Sequence, residues 1–189
     1  MSFIDAKDSL EEIKKTVLQT LNRAGNDRRS AFRFIILNTI VDKYPNSRYV
    51  VLRKFDIQKQ ELFIFTDFRS SKIKEINEHE MVSVLAYDRQ KKCQVKLKAK
   101  ATIHHNDQIA NKYWDSLENG KDSYNTINQP GTAKDSLQDA QQMKDEYDSQ
   151  YFAVITLKIL EVEILQLSSN GHIRALFDFV KNTGNYLVP

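Results

Sequence analysis

The sequence is poor in residues that break, bend or cross-link a chain: its 189 residues hold one cysteine, three prolines and five glycines. A lone thiol cannot close an intramolecular disulfide, and Cys93 cannot by itself supply a thiolate zinc site. So little glycine and proline excludes collagen-like, linker-rich and low-complexity chains. No stretch approaches the roughly 20 apolar residues that a membrane-spanning helix needs. The amino terminus, MSFIDAKDSLEEIKK, is charged from residue 5 and lacks the apolar centre of a signal peptide. An excess of one charge is missing too. The 28 basic and 25 acidic side chains leave +3, and the pI of 8.8 falls short of the value, about 9, usual for domains that grip nucleic acid through one basic face. Nucleic acid and membrane are therefore not the expected partners. What is present is 41% hydrophobic and 28% charged residues, enough for a sizeable core in one domain over 1–189. A cytoplasmic protein is expected.

Hydrophobic periodicity changes along the chain. Leu10, Ile13, Val17, Leu18 and Leu21 recur at helical spacing opposite Glu11, Glu12, Lys14 and Lys15. This predicts an amphipathic helix in segment 1–24, capped at Asp8 or Ser9 and ended by Ala24-Gly25-Asn26-Asp27. Strands are predicted over 32–41, 48–55, 62–66, 81–87 and 92–104, with turns at Tyr44-Pro45-Asn46-Ser47 and 56–60. In the longest, Cys93, Val95, Leu97, Ala99, Ala101 and Ile103 alternate with Gln94, Lys96, Lys98, Lys100 and Thr102, a period of two that no helix produces. Segment 106–149 reads as a helical and loop insertion, with helices at 107–117 and 136–147. Strands return over 151–167 and 172–180. Seven or so antiparallel strands joined by hairpins predict a mainly β barrel or sandwich with covering helices.

The search for chemistry begins with exclusions. His79, His104, His105 and His172 lack metal-ligand spacing, so no metal is expected. No nucleophile elbow or glycine-rich phosphate loop is present, and Cys93 sits at an inward position. The row Lys96, Lys98, Lys100 reads as a solvated sheet face. Two segments are more informative. A strand in Ser47 to Asp56 carries arginines at 48 and 53, and Phe63-Ile64-Phe65-Thr66-Asp67 runs through Ser70-Ser71 into a helix whose first turn holds Lys72. Free N–H groups, two hydroxyls and a lysine at a helix start make an anion site. The same residues also read as an ordinary capped helix.

These segments, in this order, resemble the pyridoxamine 5′-phosphate oxidase-like family of FMN-binding split barrels. The likeness lies in Ser47-Arg48-Tyr49-Val50-Val51-Leu52-Arg53-Lys54-Phe55-Asp56, then Phe65-Thr66-Asp67 with Ser70-Ser71-Lys72, then Gln94-Val95. It covers roughly residues 28 to 106 closely. More loosely, it extends to Gly171-His172-Ile173-Arg174-Ala175-Leu176-Phe177 and the Leu187-Val188-Pro189 ending. The resemblance implies a six-stranded antiparallel split β-barrel with flanking helices and a homodimer with FMN at its interface. It implies that Arg48, Lys72 and Ser71 serve the FMN phosphate, and that Tyr49, Val50, Val51, Leu52 and Arg53 with Phe65 and Thr66 line the flavin. Gln94 would reach the ring edge, Arg174 would approach from the partner subunit, and His172 stands where the family meets substrate.

The departures lie around the substrate. In the pyridoxamine phosphate oxidases proper a second arginine follows the phosphate-binding serine, where this chain has Ser71. Their Tyr-x-x-x-Arg grip meets Tyr113-Trp114-Asp115-Ser116-Leu117 here, with Leu117 in the arginine's place. Asn170 replaces an arginine two residues before His172, and Leu165 takes the place of the flavin-side tryptophan. The expectation is an FMN-dependent oxidoreductase with an altered substrate site and a small-molecule electron donor. A non-catalytic FMN-binding or sensing module is the alternative. No catalytic residue is assigned.

Overall fold

A computed structural model describes residues 3–189, so the first two residues of the expected 1–24 segment lie outside it. Helix α1 spans Leu10–Asn26 and starts at a capping box. The Ser9 hydroxyl accepts from the Glu12 amide at 3.3 Å while the Glu12 carboxylate accepts from the Ser9 amide at 2.8 Å. The helix buries Ile13, Val17, Leu21, Ala24 and Gly25. It runs through the glycine expected to help end it, and only Asp27 stops it.

Eight antiparallel strands follow: β1 Phe34–Val41, β2 Tyr44–Asp56, β3 Glu61–Asp67, β4 Met81–Asp88, β5 Cys93–His105, β6 Phe152–Gln166, β7 Ile173–Asp178 and β8 Thr183–Leu187. Their order is β3-β2-β1-β4-β5-β6-β7-β8, and β3 also pairs with β6 from Glu61↔Lys158 to Asp67↔Phe152. That second pairing closes β1 to β6 into a six-stranded barrel. The 15 residues of β6 do two jobs: the first half closes the barrel on β3, and the second half carries β7 and β8 away from it. Alternation sends Ile35, Leu37, Leu52, Leu62, Ile64, Val84, Leu97 and Ile155 into the barrel, all 1% exposed or less. A second cluster outside the barrel packs Phe63, Phe152 and Val154 against Trp114 of α3 (Gln108–Asp115) and Tyr124.

Three expectations are corrected. Tyr44-Pro45-Asn46-Ser47 is strand, and the turn lies one step earlier at Asp42-Lys43, where φ is 48° and 69°. Positive φ at both central residues gives a two-residue hairpin the twist its strands need. Pro45 is tolerated because β3 pairs only with 52–56 of β2, leaving the proline one neighbouring strand. The helix expected over 136–147 shrinks to one turn, α4 (Leu137–Ala140), because the segment has no buried face to dock and instead forms the bridge Thr126↔Met143. The lysine row of β5 is not merely solvated: Lys96, Lys98 and Lys100 pair with Glu163, Glu161 and Glu80 at 2.8, 2.8 and 3.1 Å. Cys93 is fully buried, which pushes its thiol up to about 12. No helix among the described residues is long and apolar enough to cross a membrane.

Gly25 is where α1 and β2 come closest. A Cβ there would lie 2.9 Å from Lys54 Cα and 3.2 Å from the Phe55 amide nitrogen, both immovable backbone. Gly25→Ala should therefore destabilise the protein by about 1–3 kcal/mol despite alanine's better helix propensity. Chemical denaturation of both proteins measures it, and a neutral or stabilising result would mean that α1 shifts freely on β2.

Candidate functional site

The strand–turn–helix from β3 into α2 (Ser71–Glu78) builds the site. Ser70 occupies the N-cap position but makes no side-chain cap bond. Its hydroxyl accepts from Lys72 Nζ at 2.9 Å and lies 3.2 Å from Thr66 Oγ1, which accepts from the same ammonium at 2.9 Å. Lys72 is half-buried, forms no ion pair among the described residues and points toward the positive end of its own helix. Burial and the neighbouring Arg48 charge both lower its pKa, against the opposing pull of Asp67 and Glu75.

Arg48 enters from β2. Its Nη2 meets Glu75 Oε2 at 2.6 Å, and its Nη1 donates to the Thr39 hydroxyl, which in turn donates to Glu75. Asn46 Nδ2 completes the cage at Glu75 Oε1, 3.0 Å away. Burial would raise the Glu75 carboxyl, but the Thr39 and Ser71 hydroxyls and the Arg48 charge hold it below its usual range. The next turn residue, Arg69, faces the other way. It pairs with Asp67 at 2.7 Å, lies 3.5 Å above the Tyr151 ring, and donates to the carbonyls of Thr126 and Ile127 in the insertion.

The remaining expected residues fall into two places. Along β2, Val50 and Leu52 bury their side chains in the core, while Tyr49, Val51 and Arg53 face outward. The β2–β3 register shifts between Leu52 and Lys54, which puts Arg53 at the irregularity. Its guanidinium stands 5.8 Å from the Phe65 ring, and its Nε is buried without a hydrogen-bond partner. Phe65 packs at 5.2 Å on Tyr113 and at 5.3 Å on Phe152. The structure thus gathers Arg48, Ser71, Lys72 and Thr66, with Arg53 and Phe65 on the adjoining outer surface.

Gln94, Leu165 and Arg174 instead form one row across β5, β6 and β7. Arg174 is tied to Glu163 at 2.8 Å, and the His172 Nδ1 accepts from the Ser168 amide at 3.1 Å. Among the described residues no hydrogen bond or ion pair links this group to the Arg48–Lys72 cluster. Leu117, in the place of the family's arginine, packs against the Phe63–Trp114 cluster. No group of three His, Cys, Asp or Glu side chains among the described residues could hold a metal.

Sequence reasoning missed Thr39, Asn46 and Glu75, whereas the Ser70 hydroxyl is already part of the anion site read from the Ser70-Ser71-Lys72 turn. Helical spacing held a clue to Glu75, which follows Ser71 by four residues and so shares its face. Its partners Thr39 and Asn46 are placed by the β1–β2 register, where they are directly opposed.

A model of the pyridoxamine 5′-phosphate oxidase FMN-binding domain matches residues 12–105. No curated protein matches the sequence. Among solved structures, a pyridoxamine 5′-phosphate oxidase-related, FMN-binding protein from Nostoc punctiforme is 17% identical with a TM-score of 0.73, covering 97% of this chain and 100% of that one. PhzG from Burkholderia lata, solved with tetrahydrophenazine-1-carboxylic acid, is 18% identical with a TM-score of 0.71, covering 99% and 96%. General Stress Protein 26 from Bacillus anthracis is 16% identical with a TM-score of 0.51, covering 80% and 98%. The matched segment holds β1 to β5 and the whole Arg48–Lys72 cluster, and with the closed barrel it places the chain in the pyridoxamine 5′-phosphate oxidase-like family of FMN-binding split barrels.

Proposed function

We propose that the chain, 1–189 acting as one unit, binds FMN as a homodimer and serves as an FMN-dependent oxidoreductase. The observation that carries the reading is Lys72. A half-buried ammonium at the start of a helix, hydrogen-bonded among the described residues to hydroxyls alone and with burial and Arg48 outweighing the pull of Asp67 and Glu75, is a place that favours an added anion. A phosphate ester supplies that anion. The donor set fits the rest of the group as well, because the unpartnered Arg53 Nε lies on the strand to which the resemblance assigns the flavin ring. When bound, FMN supplies a hydride-accepting ring and the protein supplies position and electrostatics. Lys72 and Ser71 would hold the phosphate, Arg53 would set a cation beside the ring, and Phe65 would form an apolar wall.

A homodimer accounts for the separation of the two residue groups. Gln94, His172 and Arg174 would meet the ligand from across an interface instead of within one chain. The outer face of β1, β2 and β4 supports this, since Phe34, Tyr49, Met81 and Tyr87 are 57%, 72%, 51% and 47% exposed on it. Such a patch on an isolated barrel marks a contact surface. The reacting partner is a small-molecule electron donor without a phosphate at the Tyr113 end, because Leu117 gives an apolar contact where a cation would be required. A non-catalytic FMN-binding module is the second reading, favoured by that same missing grip. Rapid mixing of the FMN-loaded protein with candidate donors separates them, since flavin reduction by none would favour the module.

Two outcomes are expected. Lys72→Ala should lose about 1.5–3 kcal/mol of FMN affinity, roughly 10- to 150-fold, and leave riboflavin binding almost unchanged. Lys98→Ala is the control, because Lys98 pairs with Glu161 on the exposed sheet face, whereas Lys96 shares Glu163 with Arg174. Titration calorimetry decides, and equal FMN affinity for Lys72→Ala and the parent removes the phosphate role. In sedimentation the parent should run at twice its 22.0 kDa chain mass, while Phe34→Asp with Tyr49→Asp should give monomers. A parent that sediments as a monomer would sink the dimer.

A further inference from the structure

The two cations at the head of α2 are not equivalent. Lys72 has neutral partners only, but Arg48 is already neutralised by Glu75, 2.6 Å from its Nη2. Glu75 is 5% exposed and takes hydrogen bonds from a guanidinium, an amide and a hydroxyl, supplied by Arg48, Asn46 and Thr39. Donors of those kinds, converging from two strands, are what would cradle a phosphate oxygen. Here a carboxylate of the chain's own helix sits among them.

We propose that Glu75 is an internal counter-ion that occupies Arg48 in place of ligand phosphate and so sets how tightly this chain holds the phosphate end of FMN. The inference rests on the FMN reading and deepens it. Arg48 and Lys72 bring two positive charges, and Glu75 cancels one. A phosphate monoester carries about −1.5 to −2 at neutral pH. An incoming phosphate that shares Arg48 lies beside the carboxylate and is repelled. One that draws Arg48 away leaves a buried carboxylate with neutral donors alone. Either route costs affinity. FMN is accordingly an exchangeable ligand of this chain, lost on desalting, and Glu75 is the residue that makes it so. The opposite role, in which Glu75 merely braces Arg48 for the phosphate, predicts the opposite sign.

The test compares the full-length parent, Glu75→Gln, Arg48→Gln and the double variant by calorimetric titration with FMN and with riboflavin. Glu75→Gln should bind FMN about tenfold or more tightly than the parent and keep it through desalting, with riboflavin affinity unchanged. The double variant should also bind FMN more tightly than Arg48→Gln alone, because the repulsion persists without the arginine. That second comparison contains no orphaned guanidinium, so it decides the matter even if Glu75→Gln folds poorly, as its melting temperature would show. Unchanged or weaker FMN binding by Glu75→Gln, or equal affinities for the double variant and Arg48→Gln, overturns the proposal. Failure of all four proteins to take up FMN overturns the FMN reading and this inference with it.

Discussion

Strand β3 has hydrogen-bonded partners on both sides, β2 and β6, and that double pairing turns an open sheet into a closed barrel. Closure fixes which residues meet. With the register set by seven opposed pairs from Glu61↔Lys158 to Asp67↔Phe152, the end of β3 delivers Thr66 to the barrel rim. The β1–β2 hairpin independently brings Thr39 and Arg48 to the same rim. Helix α2 leaves β3 there with no room to swing away, since Ile73 and Ile76 are buried in the core. The polar cluster therefore follows from the barrel. A one-residue slip of β3 would turn Thr66 outward and leave Lys72 without its hydroxyl partners.

Within that cluster the burial of charge is balanced unevenly. The Arg48–Glu75 pair is shielded and well bonded, which is what a buried ion pair requires before its attraction offsets its desolvation. Lys72 has no such partner, and Ser70 has given up its cap bond to serve it. A forgone cap costs about 1 kcal/mol and a partly desolvated ammonium costs more. A segment organised for stability alone would do neither. Asp67 and Glu75 offset only part of that cost, and local rules given up in this way are what functional sites show.

Much of this was legible in the sequence, and the parts that were not share a cause. The period of two in β5 and the apolar stripe of α1 identify their elements because each reports one repeated environment over many residues. The Ser70-Ser71-Lys72 turn is local and reads as an anion site or a cap from composition alone. Glu75 was overlooked because its role depends on Thr39 and Asn46, which precede it by 36 and 29 positions and reach it only through the β1–β2 register and the packing of α2. Pro45 misled the turn assignment for a related reason. A proline excludes a central strand, and nothing local reveals that β2 overhangs β3 at that point. The helix expected over 136–147 failed because propensity without a buried face does not sustain one.

The outer surface of the sheet adds a last constraint. Where β5 meets β6, Lys96 and Lys98 are matched by Glu163 and Glu161 on the neighbouring strand, giving a charge-paired surface worth at most about 1 kcal/mol per pair. On β1, β2 and β4 the same outward positions hold Phe34, Tyr49, Met81 and Tyr87, each about half exposed or more. The register ties the two regions together, because Tyr49 opposes Ile36, Ile36 opposes Leu85, and Leu85 opposes Lys96. An apolar field thus ends abruptly at a charge-paired border. A partner seated on the apolar field would have its edge defined by the lysine–glutamate row, since crossing it would desolvate pairs that are already satisfied. Gln94 lies on that border strand, one alternate position from Lys96, and Arg174 shares Glu163 with Lys96. Gln94 and Arg174, which the resemblance assigns to the same ligand as Lys72, thus lie along the border of the exposed apolar face and not beside Lys72.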